Sequence, residues 1–294
     1  MTGNQLEGVI FKKYSGYYYV QDQEKNIYEC KIRGKIKNQV LAGDKAVFTP
    51  LEKDKGILEE ILPRKNEMYR PRIANVDIVL IIMAHDRPAP SLVLLDRLLF
   101  LAQYNKLIPY IILNKCDLQQ SEKASMLNDY YPKAGFNFIR TSTMDKTGLS
   151  EIKEIIAGTI AVFAGPSGVG KSSLLNALLD GHPVKTQEVS KKIGRGKHTT
   201  RHVEIYPVGS SGWIADTPGF SVIDMPDVSS NNVAEYFPDF REFTAECRFN
   251  NCLHYKEKDC GVKDAVAKGI IAEFRYSNYL TMLDEVIQNE RCYR

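Results

Sequence analysis

The stretch Gly165-Pro166-Ser167-Gly168-Val169-Gly170-Lys171-Ser172-Ser173 fits the pattern G-x-x-x-x-G-K-[ST] without a gap. The apolar run Thr159 to Ala164 before it reads as a buried strand, and Ser173 to Leu179 after it reads as a helix. Strand, glycine loop and helix are the setting of a phosphate-binding loop. Glycines let successive backbone N–H groups turn inward on phosphates. The helix N-terminus adds its partial positive charge. Lys171 is expected to reach the β- and γ-phosphates as a catalytic cation, and the Ser172 hydroxyl to ligate Mg²⁺.

A second group, Asn114-Lys115-Cys116-Asp117, ends the apolar run Ile108 to Leu113. N-K-x-D resembles the guanine-reading motif of GTPases. A carboxylate at Asp117 can accept from both guanine donors, N1–H and the 2-amino group. Adenine offers neither, so binding it would leave a charge unpaired. Asn114 can bond N7, and the Lys115 stem can pack over the base. Thr141-Ser142-Thr143, at the end of the strand-like Phe136 to Arg140, resembles in degenerate form the last GTPase motif. Asp216-Thr217-Pro218-Gly219 is a D-x-x-G, the motif that holds Mg²⁺ through water and senses the γ-phosphate. Gly194 to Arg201 would be the first switch, with either Thr199 or Thr200 on Mg²⁺. Most GTPases run phosphate loop, switch threonine, D-x-x-G, N-K-x-D. Here N-K-x-D comes first, so the domain is circularly permuted. The chain leaves it directly after the second switch, at about Asp224. The segment beyond that point is tethered to the element that γ-phosphate loss releases.

That segment carries Cys247-x4-Cys252-x-His254-x5-Cys260. Three thiolates and one imidazole match a closed structural Zn²⁺ site, one ion per chain. The alternative is reduced cysteines packed in a core. The intervening residues are polar and leave little apolar material to hold the loop without metal. Cys30, Cys116 and Cys292 have no evident partners.

These groups need elements to position them. A chain of 294 residues, 44% apolar and 26% charged, suggests two or three globular domains. Residues 1–66 carry short strand-like runs, Val9–Phe11, Tyr17–Val20, Ile27–Ile32 and Lys45–Phe48, separated by turn signals. Five or so strands in this length suit an OB-fold barrel. Such barrels bind single-stranded RNA through aromatic and basic side chains. Tyr17, Tyr18, Tyr19, Lys12, Lys13, Lys31, Arg33 and Lys35 could form that face, although strand alternation sends at least one tyrosine into the core. Pro63 to Asn66 reads as a linker. Residues 67–224 then alternate apolar strands, such as Val76 to Met83, with helices, such as Leu92 to Tyr104 capped by Ser91. That pattern means a parallel sheet covered on both faces. Residues 225–294 form a zinc-binding domain closed by a helical tail, about Val262 to Gln288.

Net charge is +3, too small to imply nucleic acid by itself. Lys185 to Arg201 concentrates six basic residues against Glu188 alone. That run is either a solvated loop or a polyanion contact. No apolar run reaches the ~18 residues of a membrane span. The start, Met1 to Gln5, lacks a basic segment followed by an apolar one, so a cytoplasmic protein is expected.

Barrel, permuted GTPase domain and zinc module together resemble the RsgA (YjeQ/YloQ) family of bacterial ribosome-assembly GTPases, over essentially the whole chain. The resemblance implies an OB-fold, a permuted multidomain α/β architecture and a zinc-binding domain. It also implies action on GTP late in maturing the small ribosomal subunit; GTP and GDP are the expected ligands and a monomer the expected state. Contact with rRNA and turnover stimulated by the subunit go with it. Phe220 stands where many GTPases place a water-orienting glutamine. Phenylalanine cannot hydrogen-bond water, so the free protein should be slow. The resemblance suggests His198 as the substitute; a solvated loop histidine is the other reading. Hydrolysis would then free the second switch and the module tethered to it. Two other readings stay open: a GTP switch acting in tRNA modification or on another protein, and a scaffold that binds nucleotide with little turnover.

Overall fold

The structure is a computed structural model that describes residues 5–32, 34, 36, 39–69, 72–179, 203–215 and 225–292. The chain divides into two compact units. The first takes residues 1–79, 148–164 and 171–220, and the second takes 80–147, 165–170 and 221–294.

The first unit begins with a closed barrel of five strands: β1 Leu6–Tyr14, β2 Tyr17–Asp22, β3 Ile27–Ile32, β4 Lys45–Leu51 and β5 Lys55–Ile61. Their order is β1-β2-β3-β5-β4. Only β3 and β5 run parallel; the other pairs are antiparallel. Alternation puts Ile10, Tyr18, Val20, Cys30, Phe48 and Leu58 inside. Tyr18 is therefore the core tyrosine, and Tyr17 and Tyr19 are half-buried. The expected linker is pinned. Arg64 donates to both carboxylate oxygens of buried Asp44, at 2.7 and 2.9 Å. The Asn66 side chain bridges the Val76 backbone in both directions. A short hairpin, β6 Glu67–Tyr69 and β7 Arg72–Ala74, follows. Gly43 has φ 86°, and a Cβ there would stand 2.1 Å from the Ala74 carbonyl oxygen, so only glycine permits that approach.

The same unit holds α3 Leu149–Ile155, β11 Ile160–Ala164, α4 Lys171–Leu178, β12 Ile205–Val208 and β13 Gly212–Ala215. β13 pairs parallel with β11 and antiparallel with β12. Asp77 is hydrogen-bonded to Ile160 through both backbone and carboxylate. That contact sets the start of β8 (Ile78–Ala84) beside the start of β11.

The second unit holds most of β8, then α1 Leu92–Tyr104, β9 Ile108–Asn114, α2 Glu122–Tyr130 and β10 Asn137–Arg140. Its strands are ordered β10-β9-β8, with β10 parallel to β9. β8 is buried at every position, as a strand covered on both faces requires. The Ser91 hydroxyl caps α1 and Ser121 caps α2. After residue 225 come two 3-10 turns, Ser230–Tyr236 and Pro238–Phe240, then α5 Arg241–Thr244, α6 Gly261–Ala267 and α7 Glu273–Cys292. The helical tail is made of two helices, because the chain turns at Gly269 with φ 71°. Its core also takes in Phe100 of α1, beside Phe237, Phe240, Tyr279 and Met282. Arg275 is buried there, donating to Asp96 of α1 at 2.6 Å and to Asp239 at 2.8 and 2.9 Å.

Candidate functional site

The phosphate-loop pattern takes the conformation its glycines permit. Gly165, Gly168 and Gly170 have φ of 129°, 84° and 97°. A Cβ on Gly165 would meet the Ile82 carbonyl oxygen at 2.2 Å, and one on Gly170 would meet Asn114 Nδ2 at 2.5 Å. Ser167 is exposed and Pro166 half-buried. Helix α4 starts at Lys171, immediately after the loop, with Lys171 and Ser172 half-buried and Ser173 exposed.

The N-K-x-D residues are wired to this loop. Asn114 is 1% exposed. Its Nδ2 donates to the Val169 carbonyl at 2.9 Å, and its Oδ1 accepts from Thr141 Oγ1 at 3.0 Å. One amide hydrogen that the sequence reading directed at a base is therefore spent on the phosphate loop. Lys115 has φ 61°. Its Nζ donates to the Gly168 carbonyl at 2.7 Å and to that of Arg87. Its stem is thus drawn along the loop.

Asp117 is exposed. Its Oδ1 accepts from the Ser142 hydroxyl at 2.7 Å. The Ser142 oxygen accepts in turn from the Met144 and Asp145 amides at 3.1 and 3.4 Å. The Cys116 amide donates to the Thr141 carbonyl at 3.0 Å, closing the two loops on each other. Burial raises the Cys116 thiol, so it stays protonated at neutral pH. The degenerate Thr-Ser-Thr thus supplies the group that orients the exposed carboxylate.

Sequence reasoning missed His85. Its amide donates to the Asn114 carbonyl at 2.9 Å, and its carbonyl accepts from the Ser121 amide and hydroxyl at 3.2 and 2.7 Å. One residue thereby ties both ends of the 114–121 loop. Its imidazole is buried, neither nitrogen has a close hydrogen-bond partner among the described residues, and burial lowers its pKa against a weaker opposing pull from the Leu118 backbone. A histidine just past a buried strand carries no pattern that announces this. His198, Thr199, Thr200, Asp216 and Gly219 lie outside the described residues, as do Phe220 and the whole basic run Lys185 to Arg201.

The Cys/His group converges. The ligand atoms of Cys247, Cys252, His254 and Cys260 all lie within 4.8 Å of one another. His254 Nδ1 is 3.5 Å from Cys247 Sγ and 3.4 Å from Cys260 Sγ, and those two sulfurs are 3.9 Å apart. Around a tetrahedral Zn²⁺ the ligand atoms would stand roughly 3.5–3.8 Å apart, so these spacings suit it. Burial pushes the Cys252 thiol up to about 12 and lowers His254. A divalent cation would offset the first by stabilising the thiolate, and the lowered imidazole is already in the neutral form that ligates. The loop is also held from outside. The Tyr276 and Tyr279 hydroxyls donate to the His254 and Leu253 carbonyls, each at 2.6 Å. Glu257 accepts from the Leu253 and Tyr255 amides. The donor set and its spacing are compatible with zinc.

Known proteins match along the whole chain. The RsgA N-terminal domain family matches residues 7–58, and the RsgA GTPase family matches residues 61–226. The small ribosomal subunit biogenesis GTPase RsgA of Moorella thermoacetica is 43% identical over 291 residues, covering 98% of this chain and 100% of that protein. Its counterpart from Carboxydothermus hydrogenoformans is 44% identical over 290 residues, covering 97% and 99%. The crystal structure of YjeQ from Thermotoga maritima superposes with a TM-score of 0.81 at 34% identity, covering 97% of this chain and 99% of that one. YloQ, described as a circularly permuted GTPase, superposes with a TM-score of 0.80 at 34% identity, covering 97% and 96%. With the barrel, the phosphate loop wired to N-K-x-D and the motif order already in place, these matches make the chain a member of the RsgA family of circularly permuted, GTP-hydrolysing enzymes.

Proposed function

We propose that this GTPase binds the small ribosomal subunit and its rRNA, acts late in the maturation of that subunit, and turns over GTP faster when bound to it. The observation that carries the nucleotide half is the direct bonding of Asn114 and Lys115 to the Val169 and Gly168 carbonyls. It makes the base-reading and phosphate-binding motifs one assembly. Support for the ribosomal half comes from the full-length relatives named for small-subunit biogenesis.

In this reading the Asp117 carboxylate, oriented by Ser142 at Oδ1, accepts from both guanine donors. Asn114, Lys115, Cys116, Thr141 and Ser142 shape the base site. Gly165 to Gly170 present backbone N–H groups to the phosphates, and Lys171, Ser172 and Ser173 begin the helix whose N-terminus faces them. Mg²⁺ accompanies the nucleotide and neutralises charge between its phosphates. Ser172 would hold it, with Thr199 or Thr200 and Asp216 from the two switches, and Gly219 would sense the γ-phosphate. His198 positions water in place of the missing glutamine. Cys247, Cys252, His254 and Cys260 hold one structural Zn²⁺.

The chain works as a cytoplasmic monomer. Residues 1–66 serve as the RNA-binding barrel, 67–224 as the GTPase domain and 225–294 as the zinc module. On the barrel, the Lys31 ammonium lies 5.0 Å from the ring centre of half-buried Tyr17. This cation–ring pair suits contact with phosphates and unstacked bases.

The test is steady-state GTP turnover with purified small subunits, large subunits and free RNA. Selective acceleration by small subunits is expected, falling as salt rises because phosphate contacts release counterions. Stimulation by none of the three would favour a nucleotide-bound scaffold instead.

A further inference from the structure

A β-bulge on β1 leads to a connection between the barrel and both nucleotide-sensing sequences. The β1–β2 register shifts between Ile10 and Lys12. Ile10 points into the barrel core, so regular alternation would send Lys12 inward as well. The extra residue puts two consecutive side chains, Phe11 and Lys12, on the outside instead. Phe11 stacks on Trp213 of β13, with ring centres 6.0 Å apart and planes 20° from parallel. Lys12 pairs with Glu204 at 2.9 Å. From the turn after β2, Lys25 reaches the Gly209 carbonyl between β12 and β13 at 3.4 Å.

Where these contacts fall matters. β12 and β13 form a hairpin whose ladder ends at the pair Ile205–Ala215. Glu204 immediately precedes that pair, and Asp216 of the D-x-x-G immediately follows it. The sequence read as the first switch ends three residues before Glu204, at Arg201. The open end of one hairpin therefore carries the exit of one switch sequence and the entry of the other.

We infer that Phe11, Trp213, Lys12 and Glu204 are positioning residues that couple the barrel to the GTPase cycle. The gripped hairpin would transmit nucleotide state to β1, and occupancy of the barrel would act back on the strands that carry the switches. Reciprocity is required, because a coupling free energy has one value in both directions. One aromatic pair and one half-exposed ion pair set its scale, so the coupling is expected to be about 3- to 10-fold. This deepens the proposed ribosomal function and rests on it for the identity of the barrel's ligand, but the nucleotide arm does not.

Trp213 is the chain's single tryptophan, which gives the full-length protein its own probe. Its emission is compared with GDP and with a non-hydrolysable GTP analogue in the wild type, Phe11→Leu, Phe11→Tyr and Glu204→Gln. Thermal unfolding and nucleotide affinity are measured alongside. The wild type should show different emission in the two states. Phe11→Leu and Glu204→Gln should each remove most of that difference at near-wild-type nucleotide affinity, and Phe11→Tyr should restore it. The ratio of subunit-stimulated to basal turnover should fall about 3- to 10-fold in the same two variants. Nucleotide-dependent emission lost in both variants, with no subunit stimulation of the wild type, would support this coupling and remove the ribosomal reading. Emission identical in both nucleotide states, or a difference that both variants retain, would overturn the coupling whatever the subunits do.

Discussion

Ser142→Ala isolates the orienting of the base-reading carboxylate from the carboxylate itself. The Ser142 hydroxyl makes three contacts: donation to Asp117 Oδ1 at 2.7 Å, and acceptance from the Met144 and Asp145 amides at 3.1 and 3.4 Å. A hydrogen bond to a charged group is worth about 1.5–3 kcal/mol net. Asp117 is exposed, so water replaces part of the loss in the free protein, and about 1–2 kcal/mol should remain in guanine affinity. That corresponds to roughly 5- to 30-fold weaker binding. Stability should change less. Met144 is 81% exposed, so the amides that lose an acceptor are near solvent, and about 0.5–1 kcal/mol is expected. The assay is titration with a fluorescent GDP derivative, beside thermal unfolding of the same samples. An affinity within twofold of wild type, or a stability loss that exceeds the affinity loss, would refute the view that Ser142 acts by orienting Asp117.

Asp117→Asn should weaken GTP and favour xanthine nucleotides, whose changed edge suits an amide; equal wild-type affinity for ATP and GTP would sink the base assignment. Ser172→Ala should impair Mg²⁺-GTP binding or hydrolysis while circular dichroism stays unchanged, and undiminished turnover would remove Ser172 from the Mg²⁺ site. Freshly purified protein should contain about one Zn²⁺ per chain by elemental analysis. Chelation should expose the 247–260 loop to protease before it alters GDP binding, and absence of both zinc and iron would dismiss the metal.

The motifs were legible because each is local. The phosphate loop, N-K-x-D and the Cys/His cluster are short patterns whose chemistry needs residues close in sequence. The buried strands β8, β9 and β11 and the Ser91 cap were equally readable, from unbroken apolar runs and one capping residue. What escaped was either weakly patterned or long-range. In α2 only Ala124 and Leu127 are buried, so it lacks an apolar stripe. β5 carries two glutamates, and its alternation shows only in the closed barrel. The bulge at Phe11 depends on the pairing of β1 with β2, which no single strand encodes. Arg275 and Asp96 are 179 residues apart, and nothing in either neighbourhood announces the other. The hydrogen bonds of Asn114 and Lys115 to the Val169 and Gly168 carbonyls likewise appear only when the two motifs meet.

That Arg275 cluster bears on how the C-terminal module responds to nucleotide. In the proposed cycle, permutation would tether residues 225 onward to the second switch, which suggests a module released on hydrolysis. Within its own unit, however, the module is bound by more than a tether. Arg275 and Asp96 have side chains 1% and 0% exposed, and Asp239 is 4% exposed. The Tyr131 hydroxyl donates to Asp96, that of Tyr130 to Asp239 at 2.7 Å, and the Asn278 amide to Asp96 at 2.6 Å. Burial raises Asp96 despite its arginine. Burial also pushes Asp239 up, but Arg275 outweighs it and holds that carboxyl below its usual value. Asp239 therefore contributes stability above about pH 4 that is lost as pH falls through its folded pKa. Removing one partner of a buried ion pair costs about 3–5 kcal/mol, so Arg275→Met should be severely destabilising. Swinging the module away from α1 would strand the same charges. Loss of the γ-phosphate is therefore expected to change the module locally and leave its seat on α1 intact. Hydrogen exchange of α7 should be equally slow with GDP and with a non-hydrolysable GTP analogue. Exchange there that accelerated more than tenfold in the GDP state would show that the charge cluster opens during the cycle and that the tether governs after all.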